Sequence, residues 1–123
     1  MLIHSTIPIL RIFDEARALA FYRDWLGFTV DWVHRFEPTL PAYMQISWAG
    51  CTLHLTEHHG DCCPGSTVFL RVSGLREYHA ELLAKNYPHL RPGIEQTFHN
   101  SLCMELIDPF GNRLRFDETL GET

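Results

Sequence analysis

With 123 residues, 46% of them hydrophobic and 20% charged, the chain has the size and composition of one globular unit. No segment approaches the ~18 consecutive apolar residues of a membrane span, and the ten Lys and Arg are scattered rather than gathered into a basic surface, which argues against membrane and nucleic-acid partners. The formal charge of −5 favours neutral or cationic ligands through its long-range field.

Residues 3–12 alternate well enough for a strand, and Pro8, with no N–H to donate, places that strand at a sheet edge. Asp14 is a good N-cap for a helix running to about Trp25. Leu19, Tyr22 and Leu26 share one helical spacing, Ala18, Phe21 and Trp25 another, and Gly27 ends the helix. Residues 28–36 read as a second strand and 38–41 as a break. Residues 43–48 and 51–57 then form a tight hairpin about Ala49-Gly50. Residues 58–65 make a Gly/Pro-containing linker. After it come a strand over 67–72, a helix over 75–86 and strands near 94–99, 101–107 and 112–117, the last two joined by Asp108-Pro109-Phe110-Gly111-Asn112.

The second half repeats the first. Ile9-Leu10-Arg11-Ile12 returns as Phe69-Leu70-Arg71-Val72, and Leu53-His54-Leu55-Thr56-Glu57 as Leu114-Arg115-Phe116-Asp117-Glu118, each preceded by a glycine, Gly50 and Gly111. Two modules, about 1–57 and 66–118, therefore make up one domain over 1–123, and each alone is too small to bury a comfortable core. The hairpin register pairs Trp48 with Cys51, Gln45 with His54 and Tyr43 with Thr56. That places Tyr43, Gln45 and His54 on one polar face, and Met44, Ile46, Trp48, Leu53 and Leu55 on the face that packs against the helix. By the repeat, Arg115 occupies the place of His54. The expected fold is α+β, two βαβββ modules forming curved mixed sheets around a cleft with the helices outside, and a cleft is the default place for a small ligand.

Two other clusters invite readings. His54, His58 and His59 with Glu57, Asp61, Cys62 and Cys63 contain the usual zinc-binding residue types, but most of them lie on the linker and their spacing matches no common zinc motif. The four cysteines lack the spacing of a disulfide framework, and the N-terminus lacks the basic and apolar regions of a signal peptide, so reduced thiols and a cytoplasmic location are expected.

Ala20-Phe21-Tyr22 followed by Leu26-Gly27-Phe28, the strand ending Leu53-His54-Leu55, and Asp108-Pro109-Phe110-Gly111-Asn112-Arg113-Leu114 resemble the vicinal oxygen chelate superfamily, the glyoxalase/bleomycin resistance/dioxygenase fold. The resemblance implies metal-ligand positions at Ile7, His54, Thr67 and Arg115, of which only His54 suits a metal, while Arg115 brings a permanent cation. No metal, cofactor or catalytic residue is therefore assigned. The resemblance is strongest to the bleomycin resistance proteins, which hold the drug in clefts between two subunits with an exchanged N-terminal arm. It implies a homodimer whose arm carries Pro8, and an antibiotic-binding protein that sequesters a planar, cationic, bleomycin-type drug without modifying it. The expected ligand-binding residues are Trp32, Phe36, Tyr43, Gln45, His54, Phe69, Phe98 and Arg115. Trp25 and Trp48 are expected to be structural. The alternatives are a metal-dependent glyoxalase- or dioxygenase-like enzyme using His54 with Glu105 or Glu118, and a metabolite-binding module of the same fold.

Overall fold

The computed structural model describes residues 1–121. Its strands are β1 (Ile9–Arg11), β2 (Thr29–His34), β3 (Tyr43–Trp48), β4 (Cys51–Thr56), β5 (Thr67–Arg71), β6 (Glu95–Gln96), β7 (Ser101–Ile107) and β8 (Arg113–Thr119). Helix α1 (Glu15–Leu19) follows β1 and widens into a π-helical stretch, Ala20–Leu26, and α2 (Leu75–Ala84) follows β5. One sheet has the order β1-β4-β3-β2 and the other β5-β8-β7-β6, with a parallel pair at one edge of each (β1 with β4, β5 with β8) and antiparallel pairs elsewhere. The second sheet thus repeats the first, strand for strand.

The elements begin and end where local chemistry dictates. The Asp14 carboxylate accepts the Arg17 N–H at 2.8 Å and caps α1. Gly27, at φ 104°, closes the π-helical stretch in a conformation that costs a side chain dearly. Ala49 and Gly50 both have positive φ, as a two-residue hairpin turn with the right twist requires, and β3 and β4 pair in the expected register, Trp48 with Cys51 and Gln45 with His54.

Two expected strands are shorter than their patterns. Only 9–11 of the 3–12 stretch enter a ladder, because Pro8 cannot donate; its carbonyl accepts the His54 N–H at 2.9 Å, and residues 1–6 extend exposed beyond it. The 94–99 stretch is reduced to β6, since Thr97 to Asn100 turn tightly on themselves and Asn100 takes a left-handed φ of 62°. Helix α2 stops at Ala84, ahead of left-handed Asn86.

Alternation gives each sheet one apolar and one polar face. Leu10, Met44, Ile46, Leu53 and Leu55 from the first sheet and Leu102, Met104, Leu106, Leu114 and Phe116 from the second belong to one buried cluster with Phe21, Tyr22, Trp25 and Leu82 of the helical segments. The helical segments also touch directly: Trp25 Nε1 donates to the Leu82 carbonyl at 3.0 Å, and the Tyr78 hydroxyl to the Leu26 carbonyl at 2.8 Å. Trp25 stacks on Tyr87 and Trp48 tilts against Tyr78, so both have the structural role expected of them. The two polar faces point away from this shared core. No described helix is long and apolar enough to cross a membrane.

Candidate functional site

On the polar face of the first sheet, the β3–β4 register brings Tyr43, Gln45 and His54 together. The Tyr43 hydroxyl lies 2.7 Å from His54 Nδ1, and His54 Nε2 lies 3.0 Å from Gln45 Oε1. Gln45 Nε2 donates to Asp31 Oδ2 at 3.0 Å, and Ser47 Oγ donates to Asp31 Oδ1 at 2.9 Å. A carboxylate only accepts, so Asp31 fixes the Gln45 amide, which turns its oxygen to His54. His54 then carries its proton on Nε2, and its Nδ1 accepts from Tyr43. Burial lowers the His54 pKa, favouring this neutral form, and raises that of Tyr43, which keeps the phenol protonated.

Trp32 joins this group through a β-bulge. Thr29 pairs with Ser47 and Val30 with Ile46, but Trp32 pairs with Gln45, so Asp31 is the extra residue. Without the bulge, alternation would turn Trp32 to the core face. With it, Trp32 lies nearly parallel to Tyr43, ring centroids 6.1 Å apart at 12°, and edge-on to His54 at 5.4 Å. Asp31 and Ser47 are site residues that the sequence reading missed. A signal existed in an Asp-aromatic pair within a strand, but alternation alone cannot reveal a bulge.

The second polar face keeps the same register with other chemistry. Glu105 pairs with Arg115 as Gln45 pairs with His54. Glu105 Oε1 accepts from Arg115 Nε at 3.1 Å and Nη2 at 2.9 Å, while Oε2 accepts from Arg113 Nη1 at 2.6 Å. These arginines hold the Glu105 carboxyl below its usual pKa, Arg115 most strongly. Phe69 stands beside Arg115 in the β5–β8 ladder, and the Arg71 guanidinium lies 5.6 Å from its ring centroid.

Not every expected residue reaches these groups. Phe36 contacts the ring of His34 and is otherwise exposed, and Phe98 is fully exposed on the Thr97–Asn100 turn against His99. Among the described residues, no hydrogen bond, ion pair or aromatic contact joins the polar face of one sheet to that of the other. Large apolar side chains nonetheless stay partly open on both, Ile9 at 40% and Trp32 at 43% exposure on the first, Phe69 at 51% and Ile107 at 41% on the second. A groove of about 580 Å³ runs along the seam between the sheets, lined by Thr6, Pro8, Trp48, Leu53, Phe69 and Leu70 among others.

The four positions aligned with a superfamily metal site do not make a donor set. Isoleucine at 7 offers no donor, both nitrogens of His54 are engaged, and Arg115 is a cation bound to Glu105. Glu118 is engaged as well, its carboxylate accepting the N–H groups of Gly74 and Leu75 at the start of α2. The linker histidines and cysteines do not converge either, for no group of three metal-binding side chains is assembled among the described residues. Burial pushes the Cys62 thiol up, with Asp61 adding to it, so Cys62 is held as a thiol.

The sequence matches the family model described as "Glyoxalase superfamily protein" over residues 1–122. The chain belongs to the glyoxalase superfamily. Solved structures with its fold superpose over nearly the whole length. A bleomycin resistance determinant encoded on the transposon Tn5 is 20% identical with a TM-score of 0.73, over 95% of this chain and 98% of that one. A bleomycin-binding protein complexed with bleomycin is 21% identical with a TM-score of 0.71, over 96% and 100%. A glyoxalase-related enzyme from Clostridium phytofermentans is 15% identical with a TM-score of 0.76, over 98% of each. No curated protein matches the sequence. At such identities the glyoxalase-fold likeness is one of architecture, and the residues themselves must carry the functional argument.

Proposed function

We propose that this glyoxalase-superfamily chain is a cytoplasmic, homodimeric binding protein that sequesters a flat antibiotic of the bleomycin type, unmodified, in clefts formed where the polar faces of two copies meet. The Trp32–Tyr43–His54 cluster carries the reading. Two aromatic rings at 12° beside a neutral imidazole offer a planar heteroaromatic ligand a stacking surface with hydrogen-bonding edges, and each stacked pair contributes about 1 kcal/mol beyond area burial. Phe69 and Arg115 would form the facing wall, with Phe36 and Phe98 at its margins.

A cationic group on the ligand has a partner in Asp31, whose carboxylate accepts, among the described residues, only from the neutral donors Gln45 and Ser47. The half-exposed apolar residues on both polar faces fit burial in a dimer. The arm supports the same assembly: Leu2 and Ile3 project beyond Pro8 at 75% and 71% exposure, an arrangement that suits exchange with a second copy. Binding alone suffices for resistance, and none of these groups needs to do chemistry.

Tryptophan-fluorescence titration with metal-free and copper-loaded bleomycin tests the proposal. Saturable quenching near one ligand per subunit is expected, with affinity falling about tenfold in Trp32→Ala. Absence of saturable binding to bleomycin and other planar antibiotics overturns it.

A further inference from the structure

The two modules place the same residues in the same register but use them differently. Arg11 and Arg71 are repeat equivalents. Arg11 is consumed within its module, its Nη1 donating to the His58 carbonyl at 3.2 Å and its Nε to the Ile12 carbonyl at 3.2 Å. The Arg71 guanidinium makes no hydrogen bond and no ion pair among the described residues, and lies against the Phe69 ring. On the adjoining strand β8, Arg115, beside Phe69, and Arg113, beside Thr67, share the single carboxylate of Glu105, which uses both its oxygens to hold them. Guanidiniums braced in this way keep most of their five donors for another acceptor and lose little freedom when they bind it.

The acids on this face do not cancel the excess at its β5 side. Glu105 is shared between two arginines. Asp117 is the ladder partner of Arg71, but its buried carboxylate is turned toward β7, accepting from Ser101 Oγ at 2.9 Å with His99 at 3.8 Å, and forms no ion pair with Arg71 among the described residues. Glu95 lies on β6, three strand spacings from Arg71, or about 14 Å. Phe69, flat and half-exposed, sits between Arg71 and Arg115.

We propose that the polar face of the second sheet binds a compact oxyanion, a carboxylate, sulfonate or phosphate, carried on a planar ring that stacks on Phe69, with Arg71 and Arg115 as its donors. The inference rests on the reading of the polar faces as the ligand cleft and sharpens it: Asp31 on one wall takes a basic group and the arginines on the other take an acidic one. The preferred ligands are flat and carry charges of both signs. Forked guanidinium donors favour planar oxyanions over halide ions of the same charge, so chloride does not replace such a ligand stoichiometrically.

Calorimetric titration of the intact protein with 2-naphthoate and with 2-naphthylmethylammonium, one ring carrying opposite charges, provides the test. Naphthoate should bind, and its affinity should fall about tenfold in Arg71→Gln and remain unchanged in Arg76→Gln, which removes the same charge from exposed α2. Failure of naphthoate to bind, or equal loss in Arg71→Gln and Arg76→Gln, overturns the anion site. Bleomycin titration of the same samples separates the two ideas. Trp32-dependent quenching without naphthoate binding leaves the sequestration proposal standing alone, and loss of both removes both.

Discussion

Asp31 sets the direction of the hydrogen bonds that link Gln45, His54 and Tyr43 on the first polar face. As an acceptor-only group it orients Gln45, Gln45 assigns the His54 proton to Nε2, and His54 in turn makes Tyr43 a donor, leaving the phenol oxygen's lone pairs for a ligand. Protonation of His54 reverses the last step, because a protonated Nδ1 must donate. Burial lowers the His54 pKa below 6.5, so the folded state takes up this proton less readily than the unfolded chain. The stability it contributes is complete above pH 6.5 and is lost as pH falls through the lower folded-state value. With the indole of Trp32 5.4 Å from the ring, tryptophan emission should titrate with a midpoint below 6.5 and bleomycin affinity should fall over the same interval. His54→Gln should flatten both curves, and an acid transition that survives this substitution would assign the titration to another group.

Among the elements, the turn between β7 and β8 does more than reverse the chain. Asp108 accepts from the backbone N–H groups of Phe110 and Asn112, from Asn112 Nδ2, and, at 2.7 Å, from the hydroxyl of Tyr22 in the π-helical stretch of the other module. Asn112 also donates to the Arg11 carbonyl and accepts from the Gly65 N–H. The Phe-Tyr and Asp-Pro-Phe-Gly-Asn motifs are therefore two sides of one buried junction, 86 residues apart in the chain. Tyr22→Phe keeps the ring packing and deletes one donor to a buried carboxylate, at an expected cost of about 1–3 kcal/mol in urea unfolding. An unchanged midpoint would mean that the junction relaxes without loss. The β2 bulge acts at the same scale, since one inserted residue moves Trp32 from the core side to the polar side of its sheet.

At the scale of the whole molecule, back-to-back packing of the modules on one core leaves the polar faces pointing outward and a projecting N-terminal arm. The proposed cleft, with walls from both sheets, is then formed by two copies. Removing residues 1–6, which are exposed and outside every sheet, should leave the unfolding of each subunit nearly unchanged while shifting sedimentation from dimer to monomer and weakening bleomycin binding. A dimer of undiminished stability after truncation would show that the arm is not the exchanged element.

The fold was legible in the sequence because its determinants are local and duplicated. Two-residue alternation, the Asp14 cap, Gly27, the Ala49-Gly50 turn and the repeat near sixty residues each impose their geometry on near neighbours, and together they specify two βαβββ modules and the Tyr43–Gln45–His54 face. Tertiary structure decided what depends on distant partners: the bulge that exposes Trp32, the braced arginines of the second face, the engagement of Glu118 at α2 rather than in a site, and the isolation of Phe36 and Phe98. Each of these turns on whether a side chain finds a partner from another strand or the other module, and residue spacing along the chain carries no record of that.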